Sequence, residues 1–235
     1  MTRLLASVTN SIEAEQAIDG GADLIDLKNP ARGALGALSL EQIAAICALV
    51  AGRRPVSATI GDLPADPSLT GELIRATADT GVDYVKVGFF TRHHVAACLS
   101  AISAVTPTCT VVAVLFADRC PDLRDLSPFV EAGCAGVMLD TADKSAGVLL
   151  DHLDLRQLSD FVAHARELNL LCGLAGSLRQ VDIATLMPLA PGYLGFRGAL
   201  CQAGRREQVL DPDRLRAIRR AIDSAQPERG ARGLA

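Results

Sequence analysis

Three lysines lie in, or directly after, short apolar runs that read as β-strands. Lys28 closes Asp23-Leu-Ile-Asp-Leu-Lys28, Lys86 sits inside Asp83-Tyr-Val-Lys-Val-Gly88, and Lys144 follows Met138-Leu-Asp-Thr141. Lysine is rarely placed in a buried strand unless its charge is paired or used. An amine held there can form a Schiff base with a carbonyl or capture a phosphate. Strand side chains alternate, so Asp26 and Lys28 share one face while Ile25 and Leu27 share the other. If the apolar pair meets covering helices, the charged pair points the opposite way. The same rule turns Lys86 inward against Val85 and Val87, and Asp140 inward against Val137 and Leu139. Ser57 and Thr59 join them from a neighbouring strand. A structural ion pair needs only one lysine and one carboxylate, so two of each, with Lys144 in reach, argue for chemistry. Desolvation and clustered cations depress a lysine pKa, and carboxylates raise it. Sequence leaves open which amine is neutral.

Such convergence demands a closed arrangement of strands. The chain has 235 residues, 49% of them apolar and only 3% aromatic, with no Trp. An Ala, Leu, Val and Ile stock of that kind suits helices packed on a buried parallel sheet. Strand patterns fall at 3–8, 23–28, 55–60, 83–88, 110–117, 135–140, 170–175 and 192–197. Amphipathic runs at 11–19, 39–51, 68–80, 92–104, 154–168, 179–189 and 211–224 alternate with them. Glycines at Gly20, Gly81 and Gly133 stand between a helix and the next strand, as left-handed helix ends require. Eight repeats predict a single (β/α)8 TIM barrel over residues 1–225, with a frayed tail over 226–235. An open doubly wound sheet would carry a glycine-rich turn after its first strand, where this chain reads Thr9-Asn10-Ser11. Barrel active sites lie at the C-terminal ends of the strands, which puts every residue above on one face.

The last two strands end in Gly173-Leu-Ala-Gly176-Ser177 and Gly195-Phe-Arg197-Gly198-Ala199. Loops at these positions hold phosphate through backbone N–H groups and a short extra helix, here expected over 198–203. Gly176, Ser177, Arg197, Gly198 and Ala199 are therefore the predicted phosphate-binding residues. The glycine-rich stretch 29–37 reads as a lid whose Arg32 holds a second anion, or as a flexible loop with an exposed arginine. Gly204-Arg205-Arg206 either adds positive charge near the mouth or, the favoured reading, forms a solvated face.

Other classes find little support. A net charge of −4 suggests neither a nucleic-acid nor a membrane partner, and no apolar stretch is long enough to span a bilayer. Of seven cysteines, with no Cys-x-x-Cys pair, most read as small buried residues in a reducing compartment, and the first residues lack a signal-peptide core. A cytoplasmic protein is expected. His93, His94, His152 and His164 lack metal-ligand spacing, so no metal and no cofactor are expected. Cys172 and Cys201 lie near the expected mouth and read as packing residues. The apolar run 39–51 fits homo-oligomer contacts and core packing equally well.

The segments DLIDLKNPARGALGA (23–37), VSATIGD (56–62), DYVKVGF (83–89), MLDTADK (138–144), LAGSL (174–178) and GFRGALC (195–201) resemble the (5-formylfuran-3-yl)methyl phosphate synthase family of methanofuran biosynthesis. The resemblance runs through the whole barrel in order. It implies condensation of two molecules of glyceraldehyde 3-phosphate into a furan aldehyde phosphate, with loss of inorganic phosphate and water and without metal or organic cofactor. It further implies Lys28 as the Schiff-base lysine, Lys86 as the proton acceptor, and Asp26, Asp140 and Lys144 as accessory residues. One departure falls after Lys144, where Ser145-Ala-Gly147 replaces an acidic-glycine turn. The rival readings are another Schiff-base aldolase of the phosphate-barrel type and a non-catalytic triose-phosphate sensor. A decarboxylase of the orotidine-phosphate type would need a third charged residue after Lys28, where the chain has Asn29-Pro30-Ala31.

Overall fold

The computed structural model describes residues 1–62, 67–90 and 95–226. In chain order the elements are β1 (Arg3–Val8), α1 (Ser11–Asp19), β2 (Leu24–Leu27), α2 (Leu40–Val50), β3 (Val56–Thr59), α3 (Pro67–Ala78), β4 (Tyr84–Phe89), α4 (Val95–Ser103) and β5 (Val111–Phe116). Then come α5 (Ser127–Glu131), β6 (Gly136–Asp140), α6 (Leu149–His152), α7 (Leu155–Glu167), β7 (Leu171–Leu174), α8 (Ile183–Leu186), β8 (Tyr193–Phe196) and α9 (Pro212–Ala225). The strands pair in parallel in sequence order, and β8 closes on β1, so the predicted (β/α)8 barrel is the fold.

Local chemistry sets the element ends. Asn10 caps α1, and reciprocal capping boxes start α2 (Ser39 with Gln42) and α7 (Asp154 with Gln157). Asp211 caps α9, with Pro212 as its first helical residue. Of the helix-ending glycines, Gly81 (φ 92°) and Gly133 (φ 78°) take the left-handed conformation. After α1 that part falls to Gly21 (φ 84°) instead of Gly20. Gly20 serves packing, because a Cβ there would lie 1.9 Å from Leu215 of α9.

Some elements depart from the patterns read above. The run 179–189 is broken into a 3-10 turn, the one-turn α8 and a second 3-10 turn, with Pro188 inside the last. The expected short helix over 198–203 is a pair of 3-10 turns, Gly198–Leu200 and Gln202–Gly204. Gln226, assigned above to the frayed tail, is tied to the residue before the first strand by its Nε2 donating to Thr2 O at 2.7 Å and its Oε1 accepting from Thr2 N at 3.3 Å. The rest of that tail, and His93 and His94, lie outside the described residues.

Two apolar layers follow from the strand parity. Ile25, Leu27, Val85, Val87, Val137 and Leu139 belong to the layer between sheet and helices, as alternation predicted. Leu5, Leu24, Val112, Val114, Met138 and Tyr193 fill the barrel interior. Gly173 makes room for Tyr193, since a Cβ at that position would lie 2.2 Å from its ring. This plug raises a dry floor beneath the polar mouth.

Candidate active site

Above that floor, the inward positions near the strand ends turn from apolar to charged. Asp26, Lys28, Lys86 and Asp140 are all buried on the interior side, and Lys144 reaches them from the loop after β6. The charges form two sets. In the deeper one, Lys86 Nζ donates to Asp26 Oδ1 at 2.9 Å. The Ser57 hydroxyl donates to the same oxygen at 2.7 Å, and the Ser7 hydroxyl donates to Oδ2 at 2.7 Å. In the outer set, Asp140 accepts from Lys144 Nζ and from the Thr141 backbone N–H. Lys28 Nζ stands 3.9 Å from the other Asp140 oxygen.

Three lysines against two aspartates leave one surplus positive charge in a buried space. Burial pushes the carboxyls of Asp26 and Asp140 up, but the surrounding lysines outweigh it and hold both below the ordinary range. Lys28 is the lysine without a short contact to either carboxylate. Burial drives its amine down, Lys144 and Lys86 repel its charge, and Asp140 and Asp26 compensate only in part, leaving it at about 8. An amine at that value is neutral in a useful fraction of molecules near neutral pH, the condition for attack on a carbonyl.

The mouth opens into a cavity of about 620 Å³ that joins Lys28, Asp140 and Lys144 to Gly176, Ser177, Arg197, Gly198 and Ala199. Among the described residues, the backbone N–H groups of Gly176, Ser177, Gly198 and Ala199 donate to no protein acceptor. Free amides at the loops after β7 and β8 are what an oxyanion needs. Gly176 (φ 110°) and Ser177 (φ 51°) hold their turn in the left-handed region. The Arg197 side chain has a different place. Its Nε and both terminal nitrogens donate to Arg206 O, Ser7 O, Gln208 O and the buried Glu13 carboxylate, at 2.6 Å for the shortest contact. All five donors are engaged, so Arg197 offers a ligand its backbone and not its guanidinium.

Several site-shaping residues carried no clear mark in the sequence. The Asp62 carboxylate accepts from Ala34 N at 2.8 Å and Leu35 N at 2.6 Å, seating the loop 29–37 over the mouth. Arg206 donates from Nη2 to Pro30 O at 3.0 Å and Gly33 O at 2.6 Å of that loop. Arg206 is therefore a half-buried cavity residue and not part of a solvated face, whereas Arg32 and Arg205 are exposed. Asp118 accepts from Ala142 N at 2.7 Å and Asp143 N at 2.8 Å, tethering the loop that carries Lys144. The departure at Ser145 is accommodated there, because Asp143 accepts from both the backbone N–H and the hydroxyl of Ser145. Ser7 was within reach of sequence reasoning: it shares strand parity with the inward Leu5 and stands one residue before the end of β1.

The remaining candidates lie apart. Cys172 faces the helix layer and the Cys201 thiol donates to Arg197 O, and burial pushes them up to about 12 and about 11. His152 and His164 line a separate surface cavity between the loop after β5 and α7. No group of three or more His, Cys, Asp or Glu side chains able to hold a metal occurs among the described residues. None of the helices described is long and apolar enough to cross a membrane.

A closed parallel barrel with its polar cavity at the C-terminal ends of the strands defines a (β/α)8-barrel enzyme. Among solved structures, phosphoribosylanthranilate isomerase from Thermotoga maritima superposes with a TM-score of 0.67, covering 95% of this chain and 100% of its own at 13% identity, a likeness of fold alone. The family model described as 4-HFC-P synthase matches residues 4–219. A putative (5-formylfuran-3-yl)methyl phosphate synthase from Methylorubrum extorquens is 44% identical over 219 residues, covering 91% of this chain and 88% of the relative. The (5-formylfuran-3-yl)methyl phosphate synthase of Methanopyrus kandleri is 38% identical over 218 residues, with 88% and 92% covered. The chain belongs to the 4-HFC-P synthase family.

Proposed function

We propose that this enzyme condenses two molecules of glyceraldehyde 3-phosphate, through a Schiff base on Lys28, into (5-formylfuran-3-yl)methyl phosphate for methanofuran or an analogue. Two triose phosphates less one phosphoric acid and two waters have the composition of that product, so no oxidant or reductant is needed. The observation that carries the reading is the buried Lys28 amine, lowered to about 8 chiefly by burial, beside the unengaged amides of the loops after β7 and β8.

The neutral Lys28 amine adds to the carbonyl of one triose phosphate and expels water to form an imine. Lys86 takes the proton next to the imine and leaves an enamine. To do so Lys86 must first give up its own proton, and Asp26 at 2.9 Å is its neighbour for that exchange. The enamine carbon attacks the aldehyde of the second triose phosphate. A hydroxyl of the second triose closes the ring on the imine carbon and expels the Lys28 amine, and loss of the second water and of one phosphate completes the furan. Lys144 and Asp140 stand beside Lys28 as proton donor and proton acceptor, respectively, for these eliminations. The amides of Gly176, Ser177, Gly198 and Ala199 hold the phosphate that stays on the product.

Incubation with glyceraldehyde 3-phosphate alone, followed by mass analysis and phosphate assay, tests the reading. One phosphate released per furan aldehyde formed is expected. A six-carbon product that keeps both phosphates would make the chain an aldolase, and binding without a new near-ultraviolet absorbance would make it a sensor. Borohydride reduction with substrate present should label Lys28.

A further inference from the structure

Two triose phosphates bring two phosphate groups, and the amides of the loops after β7 and β8 form a cradle for one. The second needs a cation with donors to spare at the same cavity. Arg197 has none left, Arg179 is paired with Asp182 through two nitrogens, Arg214 lies exposed on α9 beside Asp211 at 3.9 Å, and Arg32 does not line the cavity. Lys144 is hydrogen-bonded to Asp140 and Thr141. Arg206 differs from all of these. It lines the cavity with its side chain only 18% exposed, and Nη2 alone is engaged in hydrogen bonds, to Pro30 O and Gly33 O. Its nearest carboxylate is Glu207, 3.8 Å from Nε and itself mostly exposed. Among the described residues Nη1 has no hydrogen-bond partner, although the guanidinium is near enough to Asp140 and Asp62 to feel both charges.

We propose that Arg206 is the receptor for the second phosphate and that, by holding the loop 29–37 with its other nitrogen, it couples phosphate occupancy to closure of that loop over Lys28. A guanidinium suits this double duty because its planar fork can face two ways at once, which an ammonium cannot do in fixed geometry. The loop is the one that begins at Asn29, directly after Lys28, so an anion drawn to Arg206 also fixes the backbone beside the amine. This inference rests on the two-substrate reading of the reaction but makes its own prediction about anion binding.

The test uses the full chain, inorganic phosphate as the probe, and the variants Arg206→Met, Arg206→Lys and Asp62→Asn. For Arg206→Met, both KM for glyceraldehyde 3-phosphate and the inhibition constant of phosphate should rise by about tenfold to a hundredfold. The Lys28 adduct trapped by borohydride at saturating substrate should persist. Arg206→Lys keeps the charge and should recover part of the phosphate affinity. Asp62→Asn loosens the same loop from its other anchor, and should lower kcat while leaving the phosphate constant within about twofold. An unchanged phosphate constant in Arg206→Met overturns the proposal. So does a rise in Asp62→Asn equal to that in Arg206→Met, which would make the guanidinium a loop clamp only. Calorimetric titration of phosphate needs no turnover and separates the two readings. If the wild type makes no furan and Arg206→Met still loses about half of the bound phosphate, the synthase reading falls and Arg206 stands as an anion receptor. If furan forms and the titration is unaltered, the reverse holds.

Discussion

The two lysine–aspartate pairs of this barrel are built from the same residues and behave differently. Lys86 and Asp26 meet at 2.9 Å, and two serine hydroxyls fill the remaining positions around the carboxylate. Lys28 stands 3.9 Å from an Asp140 whose other oxygen is already taken by Lys144. In the tight pair both Asp26 oxygens carry short hydrogen bonds, and Lys86 is held against one of them. The loose pair shares one carboxylate between two amines, and the amine without the short contact is the one driven to about 8. Burial lowers the Lys28 amine, and its long contact with a shared carboxylate offsets that lowering only in part.

The largest effect that can break this comparison is expected at Lys28. Lys28→Met should abolish the borohydride-trapped adduct and lower kcat by about 10⁴-fold, as loss of a covalent nucleophile does. An adduct on Lys86 instead would reverse the assignment of the two pairs. Lys86→Met should still permit the adduct but lower kcat by about 10² to 10⁴-fold, because proton removal is lost. It should also cost about 3–5 kcal/mol in chemical denaturation, since Asp26 is left as a buried carboxylate without its nearest cation.

The pH dependence sharpens the contrast. Well below pH 8, adduct formation should rise about tenfold per pH unit as Lys28 loses its proton, and level off above about 8. Asp140 favours the ammonium form of Lys28 and Lys144 opposes it. Asp140→Asn should therefore move the midpoint to lower pH, and Lys144→Met should move it to higher pH. A midpoint that stays put in both variants would show that burial alone sets the Lys28 amine. The smallest effect is expected at Asp118, which touches neither pair but ties down the loop bearing Lys144. Asp118→Ala should lower kcat by about threefold to tenfold with the Lys28 adduct intact.

By itself the sequence determined the barrel and the facing of its strands, because strand alternation is a local property. Ile25 and Leu27 demand an apolar cover, so Asp26 and Lys28 had to face the interior whatever the remaining chain did. Lys86 and Asp140 followed by the same parity, and Ser7 could have been added to them by applying it to β1. What tertiary structure alone decided were the partnerships across distant segments. Arg197 ends a strand beside a glycine and reads as a phosphate ligand, yet Glu13, some 184 positions away, draws its guanidinium into a buried clasp. Arg206 reads as solvated, yet the loop after β2 folds down to meet it. Asp62 and Asp118 lie in loops without periodicity, where nothing local marks a carboxylate as an anchor for another loop's amides. The lowering of the Lys28 amine is also a non-local outcome, set by burial and by charges that only the closed barrel brings together.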